Sequence, residues 1–282
     1  MKLIEFRQEF YNRLQAIYPK TEIAGMYGIL LEDCMGISRV EAALRAHEII
    51  PDSELDQLHR VLDRLSKQEP IQYILGKTSF YGLSLNVSPA TLIPRPETEE
   101  LVSWILSDLD AKTTKVKGVD IGTGSGCIAL ALKNNLANAE ITAVDVSKEA
   151  LEVVRQNVKE LGLPMEVLQL DILKNSLPKE GLDFIVSNPP YVCETEKSEM
   201  RANVLDYEPD LALFVEDSNP LIFYDRILDV AKESVKEEGS VYFEINERFA
   251  EDIIKLAKEK GWKNNQVKKD IFGRDRMMRC RR

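Results

Sequence analysis

The stretch Val116-Lys117-Gly118-Val119-Asp120-Ile121-Gly122-Thr123-Gly124-Ser125-Gly126 decides the fold class of this chain. Its apolar residues predict a strand over 116–121, and residues 128–136 after the glycines predict a helix. Glycines at alternate positions let the backbone come close to a ligand, and a helix N-terminus presents free N–H groups. The stretch therefore predicts a strand, a ligand-facing loop and a helix in an α/β protein.

The same alternation of strand and helix continues towards the C-terminus. Further strands are predicted over residues 141–144, 165–170, 184–186, 240–245, 264–271 and 276–281, with helices over 151–161, 220–236 and 247–260. Alternation of this kind is typical of an α/β fold, here a mostly parallel, Rossmann-like sheet of seven strands with helices on both faces. Ligands of such sheets bind beyond the carboxyl ends of the strands.

The first 75 residues have a different pattern and predict a small bundle of four helices. Thr21 is interpreted as the N-cap of the second helix, Ser38 and Glu41 as a capping box for the third, and Asp52 or Ser53 as the cap of the fourth. Alternating residues and turn formers over 76–95 predict a β-hairpin linker. The expected organisation is thus a helical bundle over 1–75 that recognises a partner, the linker, and an enzyme domain over 96–282.

Composition narrows the class of protein. The chain has 282 residues, of which 44% are hydrophobic and 30% charged, and no run of 18 apolar residues that would predict a transmembrane helix. Its four cysteines are scattered without a Cys-x-x-Cys pair, and the N-terminus does not resemble a signal peptide. We therefore expect a cytoplasmic protein with no membrane partner and no metal, and we interpret His47 and His59 as surface or packing residues.

Charge argues against a protein that grips a long nucleic-acid backbone, because the formal net charge is −10. The charge is uneven, however, since residues 263–282 contain eight Lys or Arg and two Asp. This segment is either a solvated hairpin or a patch that meets RNA or an acidic partner, and the sequence leaves both possibilities open.

A second candidate loop, Ser187-Asn188-Pro189-Pro190-Tyr191, ends the apolar run of residues 184–186. The two prolines lack N–H groups and stiffen the turn, so the Asn188 side-chain oxygen and the Pro189 carbonyl become fixed acceptors beside the Tyr191 ring. Two acceptors and a ring suit a planar NH2 group of an amide or a nucleobase. A strand-end turn with a tyrosine packed over it is the alternative interpretation.

Acidic residues close the next two strands after the glycine loop. Asp145, nineteen residues after Gly126, is placed to accept hydrogen bonds from ribose hydroxyls, while Asp171 can reach an adenine amino group with Ile172 against the ring. The dinucleotide fingerprint would need a third glycine at Cys127, so the pattern instead resembles motif I of S-adenosylmethionine methyltransferases. The predicted cofactor-binding residues are Asp120, Gly122, Thr123, Gly124, Ser125, Gly126, Asp145, Asp171, Ile172 and Asn188.

Joined together, the two loops predict methyl transfer to a conjugated nitrogen, a weak nucleophile because its lone pair is delocalised. Asn188 and Pro189 would accept both N–H bonds, turn the lone pair towards the methyl group and stabilise the developing positive charge. Tyr191 would add van der Waals and cation–π contacts, and the proton would leave afterwards to water. We therefore predict Asn188, Pro189 and Tyr191 as catalytic residues, and these three with Pro190 as the substrate-binding residues.

The chain also resembles the bacterial peptide-chain release factor glutamine methyltransferases over nearly its whole length. The matching motifs are Gln72–Gly76, Phe80, Ile93-Pro94-Arg95-Pro96-Glu97-Thr98-Glu99, the two loops above, Tyr207-Glu208-Pro209 with Ala212-Leu213, and 269–276. The resemblance implies a class I methyltransferase fold, S-adenosylmethionine as methyl donor, S-adenosylhomocysteine as product, and methylation of the glutamine in the Gly-Gly-Gln motif of release factors. It further implies that the helical bundle contacts the release factor and that residues 93–99 border the active site.

Three positions depart from the family pattern. Asn246 follows Glu244-Ile245 where the family tends to have glycine, residues 219–221 read Asn-Pro-Leu, and Ile172 replaces an aromatic residue of some relatives. We expect neither of the first two to touch the glycine loop or the Asn-Pro-Pro-Tyr loop, and the third to weaken stacking on adenine.

The alternatives are an amino methyltransferase acting on a ribosomal-protein glutamine, one acting on a nucleobase in RNA or DNA, and a non-catalytic cofactor-binding adaptor. A nucleobase enzyme needs a basic groove and a pocket for a flipped base, which the net charge disfavours. An adaptor is expected to lose the acceptor loop, which is intact here. We expect a monomer whose partner is a release factor, with no stable nucleic-acid partner.

Overall fold

The computed structural model describes residues 1–109 and 115–282, which form two compact units. The first unit contains residues 1–76 and 201–207, and the second contains residues 77–200 and 208–282. No helix in the described ranges is long and apolar enough to cross a bilayer.

The described residues contain twelve α-helices, two 3₁₀ turns and eleven strands. The helices are α1 Leu3–Leu14, α2 Lys20–Met35, α3 Arg39–Leu44, α4 Asp52–Leu65, α5 Ile71–Leu75, α6 Pro96–Asp108, α7 Cys127–Asn135, α8 Lys148–Leu161, α9 Ala202–Leu205, α10 Asp210–Leu213, α11 Ile222–Ser234 and α12 Ala250–Glu259, with 3₁₀ turns at Glu194–Glu199 and Glu247–Phe249. The strands are β1 Lys77–Phe80, β2 Leu83–Asn86, β3 Lys117–Ile121, β4 Glu140–Asp145, β5 Glu166–Gln169, β6 Leu182–Ser187, β7 Val192–Cys193, β8 Phe214–Val215, β9 Val235–Glu244, β10 Asn264–Lys269 and β11 Asp275–Arg281.

The first unit is built from α1 to α5 around an apolar core. Phe6, Phe10 and Leu14 of α1 are fully buried against residues of α2 and α4, as the three-and-four spacing requires. The segment 201–207 also belongs to this unit, where the Tyr207 hydroxyl donates to the Lys67 carbonyl at 2.8 Å.

Some helix starts differ from those predicted. The Ser38 and Glu41 capping box is confirmed, because each side chain bonds the backbone of the other residue. The prediction for Thr21 is wrong, since α2 begins at Lys20 after Pro19, and α4 begins at Asp52 after Pro51 without a side-chain cap. In both cases a proline occupies the N-cap position and has no side-chain acceptor, so the first N–H groups of the helix have no side-chain cap.

The second unit contains the predicted seven-stranded sheet, in the order β10-β11-β9-β6-β3-β4-β5. Strands β9, β6, β3, β4 and β5 are parallel, and β11 is antiparallel to both β9 and β10. The predicted β-hairpin is β1 with β2. Because β4 and β5 lie on one side of β3 while β6 and β9 lie on the other, the chain changes direction between β3 and β6, which is where α/β sheets bind ligands.

Both faces of this sheet are covered, which explains its continuous apolar strands. Phe184, Ile185 and Val186 of β6 are all completely buried, with α6, α7 and α8 packed over one face and α11 and α12 over the other. Where the sequence predicted a loop after β6, the structure forms β7, β8, α9 and α10, and β9 begins at Val235 rather than Ser240.

Candidate active site

A cavity of about 300 Å³ lies at the carboxyl edge of the sheet, within the second unit. This volume is at the lower end of the range for small-molecule sites. Its lining includes most of the residues predicted from the sequence, namely Gly122, Thr123, Gly124, Ser125, Asp145, Asp171, Ile172, Asn188, Pro189 and Pro190. Asp120, Gly126 and Tyr191 do not line it.

The glycine loop, residues 122–126, turns tightly at the end of β3. Gly122, Gly124 and Gly126 all have positive φ, at 70°, 57° and 82°. The Gly122 and Thr123 amides donate to the Val144 carbonyl at 2.9 and 3.0 Å, so the loop is tied to the end of β4. A Cβ on Gly122 would lie 4.0 Å from the Asn188 carbonyl oxygen, which means that the two candidate loops approach each other closely.

Asp120 lies behind the glycine loop rather than on the cavity surface. Its Oδ2 accepts from the Thr123 hydroxyl at 2.6 Å and from the Ala129 amide at 3.2 Å, while its Oδ1 is buried with no partner among the described residues. Burial raises the pKa of this carboxyl to about 7. Asp120 therefore fixes the loop and the first turn of α7 from below.

The two other acidic residues lie on the cavity wall in different environments. Asp145 accepts from the Gly124 amide through Oδ2 and from the Ser147 amide through Oδ1, each at 2.9 Å, and burial raises its pKa. Asp171 pairs with Lys174 at 2.8 Å, and this partner lowers its pKa. A carboxylate can accept about four hydrogen bonds, so both retain lone pairs for a ligand.

The acceptor loop, residues 188–191, follows β6 directly opposite the glycine loop. The Ser187 hydroxyl donates to the Ile121 carbonyl at 2.7 Å, which ties the ends of β6 and β3 together. Pro189 is buried, and Asn188 is half-buried on the cavity wall with no hydrogen-bonding partner for its carboxamide among residues 1–109 and 115–282. The carboxamide is thus available to a ligand.

Tyr191 is held by the end of β9. Its hydroxyl donates to Glu244 Oε1 at 3.0 Å, and the Thr98 hydroxyl donates to Glu244 Oε2 at 2.7 Å. Burial raises the pKa values of both Tyr191 and Glu244. Thr98 lines the cavity, so Glu244 joins the start of α6 to the acceptor loop.

The expectation that Asn246 touches neither loop is wrong. Its Nδ2 donates to the Tyr191 carbonyl at 3.1 Å and to Glu196 Oε2 at the same distance. The strand end brings residue 246 beside a loop that is 55 positions earlier in the chain, which spacing along the sequence does not reveal.

Sequence reasoning assigned no role to two further contacts at the cavity rim. Glu208, whose side chain is 1% exposed, accepts from Arg95 at 2.5 Å and from the Ile93 amide at 3.2 Å, which fixes residues 93–95 along the rim. The second contact is that of Glu244, which is not among the site residues predicted from the sequence. The available signal was its place at the end of the apolar run of residues 241–243, because a carboxylate there must be hydrogen-bonded.

The remaining candidates have structural partners. His59 lies 3.3 Å from Glu9, and within the described part of the chain no three His, Cys, Asp or Glu residues are grouped to hold a metal. Several cations of the basic segment 263–282 pair with carboxylates, including Lys269 with Asp275 at 3.0 Å and Arg279 with Asp108 at 2.5 Å. This pairing favours the interpretation as a solvated hairpin.

Family models match two parts of the chain. Residues 5–76 match the PrmC N-terminal domain, and residues 101–206 match the methyltransferase small domain.

Two curated relatives are similar over nearly the full length, and both are named release factor glutamine methyltransferase. The protein of Flavobacterium psychrophilum is 42% identical over 282 residues, covering 99% of both chains. The protein of Bacteroides thetaiotaomicron is 42% identical over 271 residues, covering 95% of this chain and 96% of its own. Among solved structures, the hMettl16 catalytic domain in complex with the MAT2A 3′UTR hairpin 6 matches with a TM-score of 0.57 at 18% identity, over 81% of each chain, which supports the fold alone.

Proposed function

This chain belongs to the release factor glutamine methyltransferase family, and we propose on that basis that it methylates the glutamine of the Gly-Gly-Gln motif in peptide-chain release factors. The protein is an S-adenosylmethionine-dependent protein-glutamine N-methyltransferase. The observation that carries the substrate proposal is the 42% identity to a release factor glutamine methyltransferase over 99% of both chains. The close approach of the two loops supports methyl transfer at this site, since a Cβ on Gly122 would lie 4.0 Å from the Asn188 carbonyl oxygen.

The cavity suits the cofactor. Ser125 lines it, and its buried hydroxyl, beside the Cys127 thiol, has no oxygen or nitrogen partner in the described ranges, which a polar ligand can supply. We propose that the glycine loop and Ser125 hold the methionine part, Asp145 the ribose hydroxyls, and Asp171 with Ile172 the adenine. Asp120 acts through the loop that it supports. When bound, the cofactor supplies an electrophilic methyl group on a sulfonium.

The acceptor loop is proposed to bind and orient the glutamine amide. The Asn188 side-chain oxygen and the Pro189 carbonyl accept its two N–H bonds, which turns the nitrogen lone pair towards the methyl group. The two acceptors would stabilise the positive charge that develops on the amide nitrogen as it takes up the methyl group. The extra proton then leaves to water, and S-adenosylhomocysteine is the second product.

Pro190 and Tyr191 complete the loop without entering the chemistry directly. Pro190 lines the cavity and limits backbone rotation, while the Tyr191 hydroxyl is engaged by Glu244. We propose that Tyr191 acts by packing and by holding the loop, and that any cation–π contribution is secondary.

The remaining assignments follow from the substrate. We propose that residues 1–75 contact the release factor, that residues 76–95 connect them to the catalytic domain over 96–282, and that the protein acts as a cytoplasmic monomer. Nucleobases are weaker candidates, since the paired cations of 263–282 leave less charge for a nucleic-acid backbone. A ribosomal-protein glutamine would use the same acceptors, and the assay below separates it from a release factor.

The test is a methyl-transfer assay with labelled S-adenosylmethionine. Separate reactions contain a release factor, the same factor with its Gly-Gly-Gln glutamine changed to alanine, ribosomal proteins, and RNA. We expect one methyl group per release factor, located on that glutamine by mass spectrometry, and none on the altered factor. Methyl transfer to RNA or to a ribosomal protein in preference to the release factor would contradict the proposal.

A further inference from the structure

The end of strand β9 carries two polar side chains that grip the same tyrosine. Glu244 accepts from the Tyr191 hydroxyl at 3.0 Å, and Asn246 donates to the Tyr191 carbonyl at 3.1 Å. Tyr191 is therefore held at both its side chain and its backbone. We call Glu244, Asn246 and Tyr191 together the tyrosine clamp.

The two residues lie close together where β9 ends. Glu244 is the last residue of β9, and Asn246 follows two residues later in an extended conformation as the N-cap of the 3₁₀ turn, while Ile245 between them is fully buried in the core with α11 and α12. The backbone is fixed as well, because the Ile245 amide donates to the Arg276 carbonyl at 2.8 Å and the Tyr224 hydroxyl donates to the Glu244 carbonyl at 3.1 Å.

The clamp is anchored beyond the tyrosine. Glu244 is 2% exposed and also accepts from Thr98, which lies on the cavity wall at the start of α6. Asn246 is 7% exposed and also donates to Glu196 in the 3₁₀ turn that follows the acceptor loop. Burying a carboxylate and a carboxamide costs free energy unless they are hydrogen-bonded, and here the bonds converge on the acceptor loop.

We propose that Glu244 and Asn246 are positioning residues that set the direction of the Asn188 and Pro189 acceptors through Tyr191. Pro189 and Pro190 have restricted φ and cannot absorb a shift of Tyr191 by free rotation, so a displacement of the tyrosine is passed to the acceptors. The clamp acts on the acceptor half of the site and leaves the cofactor half, held by the glycine loop, unchanged. This inference rests on the proposed function of that loop.

Two variants loosen the clamp, and a third is a conservative change that keeps its shape. Tyr191→Phe removes the hydroxyl that Glu244 accepts. Asn246→Ser removes the donor to the Tyr191 carbonyl but keeps a side chain able to cap the 3₁₀ turn at Glu247–Phe249, as Asn246 does now by accepting from Arg248 at 3.0 Å. Glu244→Gln keeps the shape and an acceptor for the tyrosine hydroxyl.

The matched control is Tyr242→Phe. Tyr242 lies on the same strand, is 1% exposed, and donates its hydroxyl to Asp108 at 2.8 Å, outside the cavity lining. The Tyr242→Phe variant therefore loses one hydrogen bond of a buried tyrosine hydroxyl, as Tyr191→Phe does, but no contact of the acceptor loop.

We expect Tyr191→Phe and Asn246→Ser each to lower kcat about five- to tenfold, as the loss of one net hydrogen bond predicts, with the S-adenosylmethionine Kd within about twofold of the wild-type value. Glu244→Gln should retain most of the activity, and Tyr242→Phe should match the wild type in kcat. Transfer to a release factor gives kcat, calorimetry gives Kd, and thermal unfolding checks that each variant is folded.

Two outcomes would overturn the proposal while leaving the proposed function intact. One is a kcat for Tyr191→Phe and Asn246→Ser equal to that of Tyr242→Phe. The other is a fall in activity that follows a weaker cofactor Kd, which would make the clamp part of the cofactor wall. A wild-type protein that transfers no methyl group to any release factor would instead count against the proposed function.

Discussion

The glycine loop and the acceptor loop follow adjacent strands of one sheet, yet they are held in different ways. Within the glycine loop and its flanks, Asp120 bonds Thr123 and Ala129, which are three and nine positions away. The acceptor loop is held by Glu244 and Asn246, which are 53 and 55 positions from Tyr191. The glycine loop is held by Asp120, close by in sequence, and by the end of the adjacent strand β4, whereas the acceptor loop is held by residues more than 50 positions away.

Because the two loops are held by different contacts, we expect that a substitution can disrupt the glycine loop or the acceptor loop without disrupting the other. Local contacts form whenever β3 and α7 form, so the glycine loop depends on its own residues and on Asp145 at the end of the neighbouring β4. The acceptor loop depends on the register of β9 against β6, because that register brings residues 244 and 246 beside Tyr191. Four experiments test this division.

The largest effect is expected for Asn188→Ala, which removes one of the two proposed amide acceptors. Loss of an electrostatic contact made in the transition state should raise the barrier by roughly 2–4 kcal/mol, which lowers kcat roughly 30- to 1,000-fold. Cofactor binding should survive, since the glycine loop is untouched. Calorimetry and single-turnover transfer separate the two quantities, and a loss of cofactor binding equal to the loss of rate would contradict the division.

The second largest effect is expected on the free energy of unfolding, when Asp120, the buried carboxylate below the glycine loop, is replaced. Burial raises the pKa of Asp120 from 3.8 to about 7, with the nearby Asp145 adding to the rise, so the folded state disfavours its ionised form. The stability that this group contributes is present at low pH and is lost as pH rises towards the folded pKa. Asp120→Asn does not titrate, so the variant should gain about 2–3 kcal/mol relative to the wild type between pH 5 and pH 8.

Urea unfolding at several pH values measures this difference. Asp171→Asn is the control without a pH trend, because Lys174 lowers the pKa of Asp171 below its usual value. The contribution of Asp171 to stability is therefore complete above the unfolded pKa and is lost only in acid, so the difference between this variant and the wild type should be constant from pH 5 to pH 8. A difference between Asp120→Asn and the wild type that stays constant from pH 5 to pH 8 would show that Asp120 is ionised throughout.

A smaller effect, on the Kd for S-adenosylmethionine, is expected when either of the two cavity carboxylates is replaced by alanine. Asp145→Ala removes a buried acceptor that also holds the Gly124 amide, so the Kd for S-adenosylmethionine should rise by roughly ten- to a hundredfold. Asp171→Ala should raise it about fivefold or less, because Lys174 already pairs with this more exposed group. Calorimetry measures both Kd values. An equal increase for the two variants would contradict the proposal that Asp145 at the ribose contributes more to cofactor binding than Asp171 at the adenine.

The smallest effects are expected for two glycines of the same loop. Gly126→Ala should lower the free energy of unfolding by about 2 kcal/mol, since φ is 82° and the new Cβ would lie 3.2 Å from both Leu130 and Val154. Gly124→Ala has φ of 57° and no neighbour within 4 Å, so about 1 kcal/mol is expected. Urea denaturation of both variants gives the comparison, and an equal or reversed order would contradict the crowding argument.

The sequence by itself determined the fold class, the glycine loop and the residues of the acceptor loop. Alternating apolar strands and amphipathic helices predicted the seven-stranded sheet, which the structure confirms with β3, β4, β5, β6, β9, β10 and β11. Such patterns can be recognised in a sequence because buried residues recur every second position in a half-buried strand and every three to four positions in a helix. Asp145 and Asp171 were also readable, because the carboxyl ends of parallel strands meet at one edge.

Only the tertiary structure decided which distant residues support the site. Asp120 proved to lie beneath the glycine loop, Glu208 to hold residues 93–95, and Asn246 to reach Tyr191. Likewise, residues 201–207 fold with the helical unit although the methyltransferase chain surrounds them in sequence. Side-chain hydrogen bonds between residues far apart depend on strand register and chain crossings, and neither has a local period in the sequence.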